Sequence, residues 1–333
     1  MKRRNFLGVL GSAVAVAGPW GPALAQQRDG KRRLGALMGG VLADDSEGQA
    51  WAAALTQGLD ALGWHEGGNL QIDWRWAGSD LALFERHAAE LVALAPDVIV
   101  CSASPAVVAL RRHTTTLPII FAVVVEPVVQ GFVEGLARPG GNITGFSAYD
   151  PPMAGKWLEM LTQLNPPVAR VAVLHNPATT PYADSMLLTI EAAAKTLGVA
   201  VRAAPVQDES QIDGVMTTLA REQRGGLLVL PSAFTVRHRD AIVGSAARHR
   251  VPAVYPFREF ATSGGLMFYG VNHPELFRRS ASYIDRILKG DRPADLPVQA
   301  PTKFELIINL KTATALGVTV APSALGTADQ VIE

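Results

Sequence analysis

The sequence predicts an α/β protein with two similar lobes, each built on a mainly parallel sheet. Two observations lead to this prediction. Short apolar runs that end in Gly, Ser, Asn or Pro alternate with longer stretches whose apolar residues recur at helical spacing. This alternation of strand and helix favours parallel sheets, and it restarts after Asp150-Pro151-Pro152. A chain of 333 residues is also long enough for two domains.

In the first half, the strongest helix pattern covers residues 80–94. Its apolar residues recur every three or four positions and form one face: Leu81, Phe84, Ala88, Leu91 and Leu94. A further helix is predicted over 49–62, and another should begin near Pro105. The predicted strands are 34–38, 70–74, 97–101 and 117–123. The last two are almost entirely apolar, as expected for strands that are buried on both faces.

The second half repeats this organisation. The predicted strands are 170–174, 199–203, 226–230, 252–255 and 266–269, and the predicted helices are 182–197, 211–221 and 236–249.

The N-terminus has the features of a secretory signal. Basic residues at Lys2, Arg3 and Arg4 precede an apolar stretch over 6–17, and Ala23-Leu24-Ala25 fits an A-x-A cleavage site. Arg3-Arg4 resembles part of a twin-arginine signal. The apolar stretch is shorter than the roughly 20 residues that a membrane span needs. The sequence therefore predicts export to the periplasm with cleavage after Ala25.

Composition and motifs argue against catalysis and against nucleic-acid binding. The 30 basic and 30 acidic side chains balance, so charge does not indicate a polyanionic partner. Cys101 is the single cysteine, which excludes an internal disulfide and multi-cysteine metal centres. Neither a P-loop nor a dinucleotide-binding fingerprint is present, and Gly145-Phe146-Ser147-Ala148 lacks the closing glycine of a nucleophile elbow. We expect no enzyme activity, no metal and no cofactor.

The loops after the strands are the predicted ligand site, because ligands of open α/β sheets bind beyond the carboxyl ends of the strands. Ser102, Ala103 and Ser104 form the most distinctive loop. Ser104 is predicted to cap the next helix, and the Ser102 and Ser104 hydroxyls with the free amides are predicted to hold a carboxylate. Glu126 is predicted to pair with an amino group. The alternative is that Ser104 only caps the helix and Glu126 is solvated.

Aromatic residues near other strand ends predict an apolar lining, although core packing remains the alternative for each ring. Asn176 and Ser232 would reach the ligand from the second lobe when the lobes close. The complete predicted ligand-binding set is Met38, Ser102, Ala103, Ser104, Glu126, Phe146, Ser147, Asn176, Ser232, Phe234, Phe257 and Tyr269.

Three segments resemble a known family. Residues 136–145 read LARPGGNITG, residues 283–290 read YIDRILKG and residues 301–313 read PTKFELIINLKTA. They resemble the ABC-transporter substrate-binding proteins whose best-known members bind tryptophan or tyrosine, and the similarity extends over nearly all of the mature chain. Family members often have Asp-Pro at Glu126-Pro127 and Ser-Tyr-Gly at Phe268-Tyr269-Gly270.

The resemblance implies a type I periplasmic-binding fold, with two doubly wound parallel-sheet lobes joined by three hinge crossovers. The lobes would comprise 30–146 with 273–295 and 147–272 with 300–333. The crossovers would lie near 145–149, 270–273 and 291–300, with Gly145 and Gly270 as candidate pivots. The expected protein is a monomer that delivers a small solute to the permease and ATPase of an importer. An exported enzyme on the same scaffold and a receptor for a sensor remain as alternatives.

Overall fold

A computed structural model describes residues 30–149 and 151–333, and Lys31–Glu333 pack as one unit. The predicted signal segment, its twin-arginine pair and its cleavage site lie outside the described residues. No helix in the described part of the chain is long and apolar enough to cross a membrane.

The first lobe contains a five-stranded sheet in which all neighbouring strands are parallel. Its strands are β1 (Arg32–Gly39), β2 (Leu70–Gly78), β3 (Val98–Ser102), β4 (Ile119–Val125) and β5 (Ile143–Tyr149). They are connected by α1 (Ser46–Asp60), α2 (Leu81–Ala93) and α3 (Ser104–His113), and the order across the sheet is β2-β1-β3-β4-β5. Both β3 and β4 are fully buried, which accounts for their nearly continuous apolar sequences.

The second lobe begins with α4 (Pro151–Thr162) and β6 (Leu164–Asn165), and its main sheet has seven strands. In chain order, its remaining strands and helices are β7 (Arg170–His175), α5 (Ala183–Leu197), β8 (Ala200–Pro205), α6 (Ile212–Arg221), β9 (Gly225–Val229), α7 (Ala233–Arg237), α8 (Arg239–Arg248), β10 (Ala253–Tyr255), α9 (Arg258–Thr262) and β11 (Met267–Val271). Then follow α10 (His273–Leu288), β12 (Phe304–Asn309), α11 (Leu310–Leu316), β13 (Thr319–Val320), α12 (Pro322–Gly326) and β14 (Gln330–Ile332). The sheet order is β14-β12-β11-β10-β9-β7-β8, with β12 antiparallel to β11, while β6 pairs with β13.

Helix α10 follows a strand of the second sheet but packs on the first lobe. It lies along α1, where Trp51 stacks on Phe277 with ring centroids 5.0 Å apart. The two backbones approach closely at Gly58, since a Cβ atom there would lie 2.8 Å from the Arg278 carbonyl oxygen. The chain therefore returns to the first lobe after β11 and leaves it again before β12.

The first passage between the sheets comes later than the sequence indicates. Residues 143–149 form an edge strand of the first sheet, and Tyr149 still pairs with Val125. Gly145 and Gly270, the predicted pivots, both lie inside strands. A Cβ atom at Gly145 would be 2.1 Å from the Phe121 carbonyl oxygen, and one at Gly270 would be 2.8 Å from the Pro256 carbonyl oxygen. Close packing explains both glycines, and their role as pivots stays a prediction.

Two predicted elements differ from the structure. The single helix over 236–249 is wrong: α7 starts at Ala233 and ends at Arg237, and α8 starts again at Arg239 because His238 has a non-helical backbone. Strand β4 continues to Val125 and contains a bulge, with Val123 at a φ of 54°. The bulge places Ala122 and Val123 on the same side of the sheet, in one core cluster, and Val124 in another.

Candidate functional site

A small cavity of about 20 Å³, with room for one water molecule, lies between the two lobes, at the carboxyl ends of their strands. In this arrangement of the lobes the cavity is far smaller than the roughly 300–1,000 Å³ that is usual for small-molecule sites, so binding of a ligand requires the lobes to open. Most of its lining is apolar, and both lobes contribute. The lining residues are Gly39, Gly40, Trp51, Ala103, Ser104, Val123, Val125, Thr179, Tyr182, Pro231, Ser232, Ala233, Val236 and Phe257.

On the first lobe, the polar part of the wall is the N-terminus of α3. Here the predicted cap is wrong: Ala103 is the N-cap, Ser104 is the first helical residue, and no side chain caps the helix. Ala103 has a φ of 69°, a conformation that few residues other than glycine adopt. The Ser104 hydroxyl accepts a hydrogen bond of 2.9 Å from Gln130 Nε2, so its own proton is available to a ligand.

On the second lobe, the wall includes the N-terminus of α7, where local side chains cap the backbone N–H groups. Ser232 is the N-cap, and Thr235 completes a reciprocal capping box with it. The Ser232 hydroxyl accepts from the Thr235 N–H at 3.1 Å. The Tyr182 hydroxyl donates to the carbonyl oxygen of Pro231, which fixes the Tyr182 ring against this wall.

Three aromatic side chains line the cavity: Trp51, Tyr182 and Phe257. Phe257 was predicted from its position after a strand, whereas Trp51 and Tyr182 were not. Trp51 lies on the buried face of α1 and is 1% exposed. Its indole Nε1 has no hydrogen-bond partner among the described residues. An unpartnered buried N–H is costly, and a ligand acceptor in the cavity would satisfy it.

The other predicted aromatic residues are not among those that line this cavity. Phe146 packs on Tyr283 with centroids 4.9 Å apart, and Phe234 packs on His238 at 4.4 Å. Tyr269 stacks on Phe304 at 5.8 Å. In each case the core-packing alternative describes what the structure shows.

Four predicted polar or sulfur-containing residues also serve the scaffold. The Ser102 hydroxyl binds the backbone of Gly39, accepting from its N–H at 2.8 Å and donating to its carbonyl at 3.1 Å. The Asn176 side chain donates to the Val206 carbonyl and accepts from the Thr179 N–H.

Ser147 contacts the third crossover, where its N–H donates to the Gln299 carbonyl oxygen at 2.9 Å. Met38 is fully buried in the core. None of these four residues lines the cavity. Gly39, which follows Met38, and Thr179, which donates its N–H to Asn176, do line it.

Glu126 connects the two lobes. It follows β4 with a φ of 46°, and its Oε1 accepts a hydrogen bond of 2.8 Å from Ser185 Oγ in α5. Glu126 is buried and is not among the residues that line the cavity. Burial is the main cause that raises the pKa of Tyr182, and the negative charge of Glu126 raises it further.

A second, polar cavity of about 180 Å³ adjoins the first, and Gly40 and Val236 line both. Glu47, at the start of α1, lines this second cavity. Burial is the main cause that raises the pKa of Glu47 well above its usual value, and the nearby Glu259 carboxyl raises it further. Burial also raises the pKa of Glu259. The two acids come from different lobes.

Burial shifts the pKa values of two further groups, His273 and Cys101. Burial lowers the pKa of His273 to about 3, so its ring is neutral, and its Nε2 lies 3.0 Å from the Tyr149 hydroxyl. Burial raises the pKa of the Cys101 thiol, which keeps it un-ionised. Within residues 30–149 and 151–333, no group of three or more His, Cys, Asp or Glu side chains could hold a metal ion.

The fold and the site define a class of protein: two α/β lobes with a small-molecule cavity between them. The chain belongs to the ABC transporter substrate binding protein family, whose model matches residues 44–332. The resemblance in the sequence is thereby confirmed.

A curated relative and two solved structures are similar over most of the chain. The "Tyrosine-binding protein" of Clostridioides difficile (strain R20291) is 26% identical over 78% of this chain and 74% of its own. An ABC domain in complex with L-Trp from Streptococcus pneumonia is 25% identical, with a TM-score of 0.83 over 91% of this chain and 100% of its own. A conserved domain protein from Vibrio cholerae is 25% identical and has the same TM-score over 90% of this chain and 99% of its own. The predicted type I periplasmic-binding fold is confirmed.

Proposed function

We propose that this protein is the periplasmic receptor of an ABC-type importer, which captures an amino acid or an aromatic acid between its lobes. It delivers the ligand to a permease and ATPase, acts as a monomer and catalyses no reaction. The N-terminus of α3 is the observation that supports this proposal most strongly, because it meets the cavity without a side-chain cap. Free N–H groups and the positive end of a helix dipole favour a carboxylate there.

The rest of the cavity suits an apolar or aromatic ligand body. Trp51, Tyr182 and Phe257 offer ring surfaces, and Val123, Val125 and Val236 fill the space between them. The relatives point the same way, since the solved one holds L-Trp and the curated one is named for tyrosine.

A thermal-shift screen of the mature protein tests the ligand proposal. The panel contains the amino acids, the aromatic acids and small metabolites without a carboxylate. A ligand at a hundredfold excess over its Kd should stabilise the protein by about 2.7 kcal/mol. This corresponds to a rise in Tm of about 5 °C. A panel in which only ligands without a carboxylate shift the Tm would contradict the α3 assignment.

Closure of the two lobes is the proposed capture step, with lobes comprising 30–149 with 273–295 and 151–272 with 300–333. The hydrogen bond between Glu126 and Ser185 supports it, because this bond joins the lobes beside the cavity. Small-angle scattering with a confirmed ligand should show a smaller radius of gyration than without it. An unchanged radius at saturation would contradict closure.

Export is tested at the N-terminus. Mass spectrometry of the periplasmic fraction should find a chain that begins at Gln26, and a retained Met1 would overturn the signal assignment. Replacing Arg3 and Arg4 by lysine should block export if the route is the twin-arginine pathway.

A further inference from the structure

A buried carboxyl group and a half-buried one meet where the lobes face each other. Glu47 lies in α1 of the first lobe and Glu259 in α9 of the second, within hydrogen-bond reach of one another. Glu47 Oε1 and Glu259 Oε2 accept no hydrogen bond from any N–H or O–H group in the described parts of the chain. Because two ionised carboxylates repel and cannot donate to each other, this contact requires a proton between them.

The charged groups around the pair do not replace that proton. Arg239 in α8 and Arg258 in α9 are near enough to favour ionisation, but each has an ion pair elsewhere. Arg239 lies 2.8 Å from Asp240, and Arg258 lies 3.3 Å from Glu305. Asp45, before α1, adds a further negative charge.

The neutral neighbours do not supply a cation either. Tyr149 donates its hydroxyl proton to the carbonyl oxygen of Pro256. His273, which faces Tyr149, is uncharged near neutral pH because burial lowers its pKa to about 3. Within the described residues no positive side chain bonds Glu47 Oε1 or Glu259 Oε2, which leaves these two oxygens available to a cation from outside the protein.

The position of the pair relates it to the cleft. Glu47 lines the second cavity, and Trp51, one turn further along α1, lines the first. The helix thus presents an acceptor, Glu47, and the unpartnered donor Trp51 Nε1 to two adjoining cavities. The indole N–H needs an acceptor while the carboxylates need a cation. An acceptor and a cation are the two ends of an amino acid.

We infer that Glu47 and Glu259 form the ammonium-binding subsite of the cleft, where a primary ammonium group of the ligand takes the place of the shared proton. The inference rests on the proposed function and narrows its ligand to amino acids and related amines. It assigns to this pair the role that the sequence suggested for Glu126, which instead accepts from Ser185. The ligand carboxylate then lies toward Trp51 and the N-terminus of α3.

Matched pairs of ligands test the subsite by titration calorimetry. L-tryptophan is compared with indole-3-propionate, and L-tyrosine with 3-(4-hydroxyphenyl)propionate, within a panel of the other amino acids and simple amines. The wild type should bind the ammonium-bearing member of a pair at least tenfold more tightly. Glu47→Gln and Glu259→Gln should each weaken that member by about ten- to a hundredfold and leave its deaminated partner nearly unchanged. Glu191→Gln, which removes an exposed carboxylate on α5, is the control.

Thermal unfolding without ligand gives a second measurement. Because folding raises the pKa of Glu47, its stabilising contribution is present below the pKa of the unfolded group and is lost as the pH rises. Glutamine mimics the protonated form, so Glu47→Gln should gain in Tm relative to the wild type between pH 5 and pH 8. A variant that melts earlier at every pH and weakens both members of a ligand pair equally would show a structural role and overturn the inference.

The remaining outcomes separate the subsite from the proposed function. A deaminated acid that binds the wild type as tightly as its amino acid would overturn the subsite and leave the receptor role intact. If no member of the panel binds the wild type, the subsite and the proposed ligand class are both wrong.

Discussion

Helices α3 and α7 both begin at the wall of the same cavity, but their first turns differ. On the second lobe, Ser232 and Thr235 satisfy the start of α7 with their own hydroxyls. On the first lobe, α3 begins at Ala103, which has no polar side chain, and Ser104 does not cap it. A helix capped internally offers little to a ligand, whereas an uncapped one leaves N–H groups for an anion. The comparison supports the proposal that α3 recognises the ligand, while the capping box of α7 contributes to stability.

Backbone strain follows the same division. Of the four described first-lobe residues other than glycine with positive φ angles, Ala103, Val123 and Glu126 lie at or beside the cavity wall, whereas Ala95 does not line it. Among the second-lobe residues that the structure describes, the non-glycine residues with positive φ are Arg224 and Arg250, and neither lines the cavity. Such conformations cost about 1–3 kcal/mol each and persist where the surrounding structure holds them. The first-lobe wall is thus held in a fixed shape, as a preformed recognition surface requires.

The largest expected effect comes from a negative charge at the uncapped end. Ala103→Asp would cap α3 but would place a carboxylate beside that of the ligand. At about 4 Å and an effective dielectric constant of about 20, the repulsion is about 4 kcal/mol, or roughly a thousandfold in Kd. Calorimetry with a confirmed carboxylate ligand measures it. Ala103→Asn, an uncharged cap of the same size, is the control and should retain much more affinity.

A smaller effect is expected from Ser104→Ala. The variant loses a hydrogen bond to a charged ligand group, which should weaken binding by about ten- to a hundredfold. Ser104 does not cap the helix, so the loss of stability should be limited to that of its hydrogen bond from Gln130 Nε2, about 1 kcal/mol. Calorimetry and thermal unfolding are measured together. Normal binding with a clearly lower Tm would return Ser104 to a structural role.

Ser232→Ala should show the opposite profile. It removes the capping box of α7 and should lower the free energy of unfolding by about 1 kcal/mol. Affinity should fall less than in Ser104→Ala. Denaturant unfolding gives the stability, and Ser232→Thr, which keeps a capping hydroxyl, should restore most of it. A Ser232→Ala variant with full stability and lost binding would reverse the comparison between the two helices.

The smallest expected effect concerns strain at Ala103. Glycine tolerates a φ of 69°, so Ala103→Gly should raise the free energy of unfolding by about 0.5–1 kcal/mol. Ala109→Gly, in the interior of α3, should lower it by about 1 kcal/mol. Chemical denaturation of the two variants checks the sign. Equal destabilisation of both would mean that Ala103 is not strained.

Local patterns were sufficient for the fold class, for most strands and for the long helices. The rule that ligands bind after parallel strands also led to Ala103, Ser104, Ser232 and Phe257, all of which line the cavity. The bulge in β4 was not predictable, because residues 119–125 are apolar throughout. Without alternating polar residues, a slipped register leaves no trace in the sequence.

The site residues that the sequence did not reveal depend on long-range packing. Trp51 occupies a position typical of a core residue on an amphipathic helix, and only the arrangement of the lobes brings it to the cavity. Glu47 resembles an ordinary acid in the first turn of a helix. Its partner Glu259 lies more than 200 residues away in another lobe, so no local pattern indicates the pair.

The position of α10 has a consequence for how the chain is made. The face of α1 that carries Trp51 is covered by a helix that begins about 200 residues after α1 ends. At a synthesis rate of roughly 5–20 residues per second, about 10–40 s pass between the synthesis of α1 and that of α10, the last helix of the first lobe. During this interval an apolar surface of the nascent chain faces water, and a chaperone that binds exposed hydrophobic segments would find its target there.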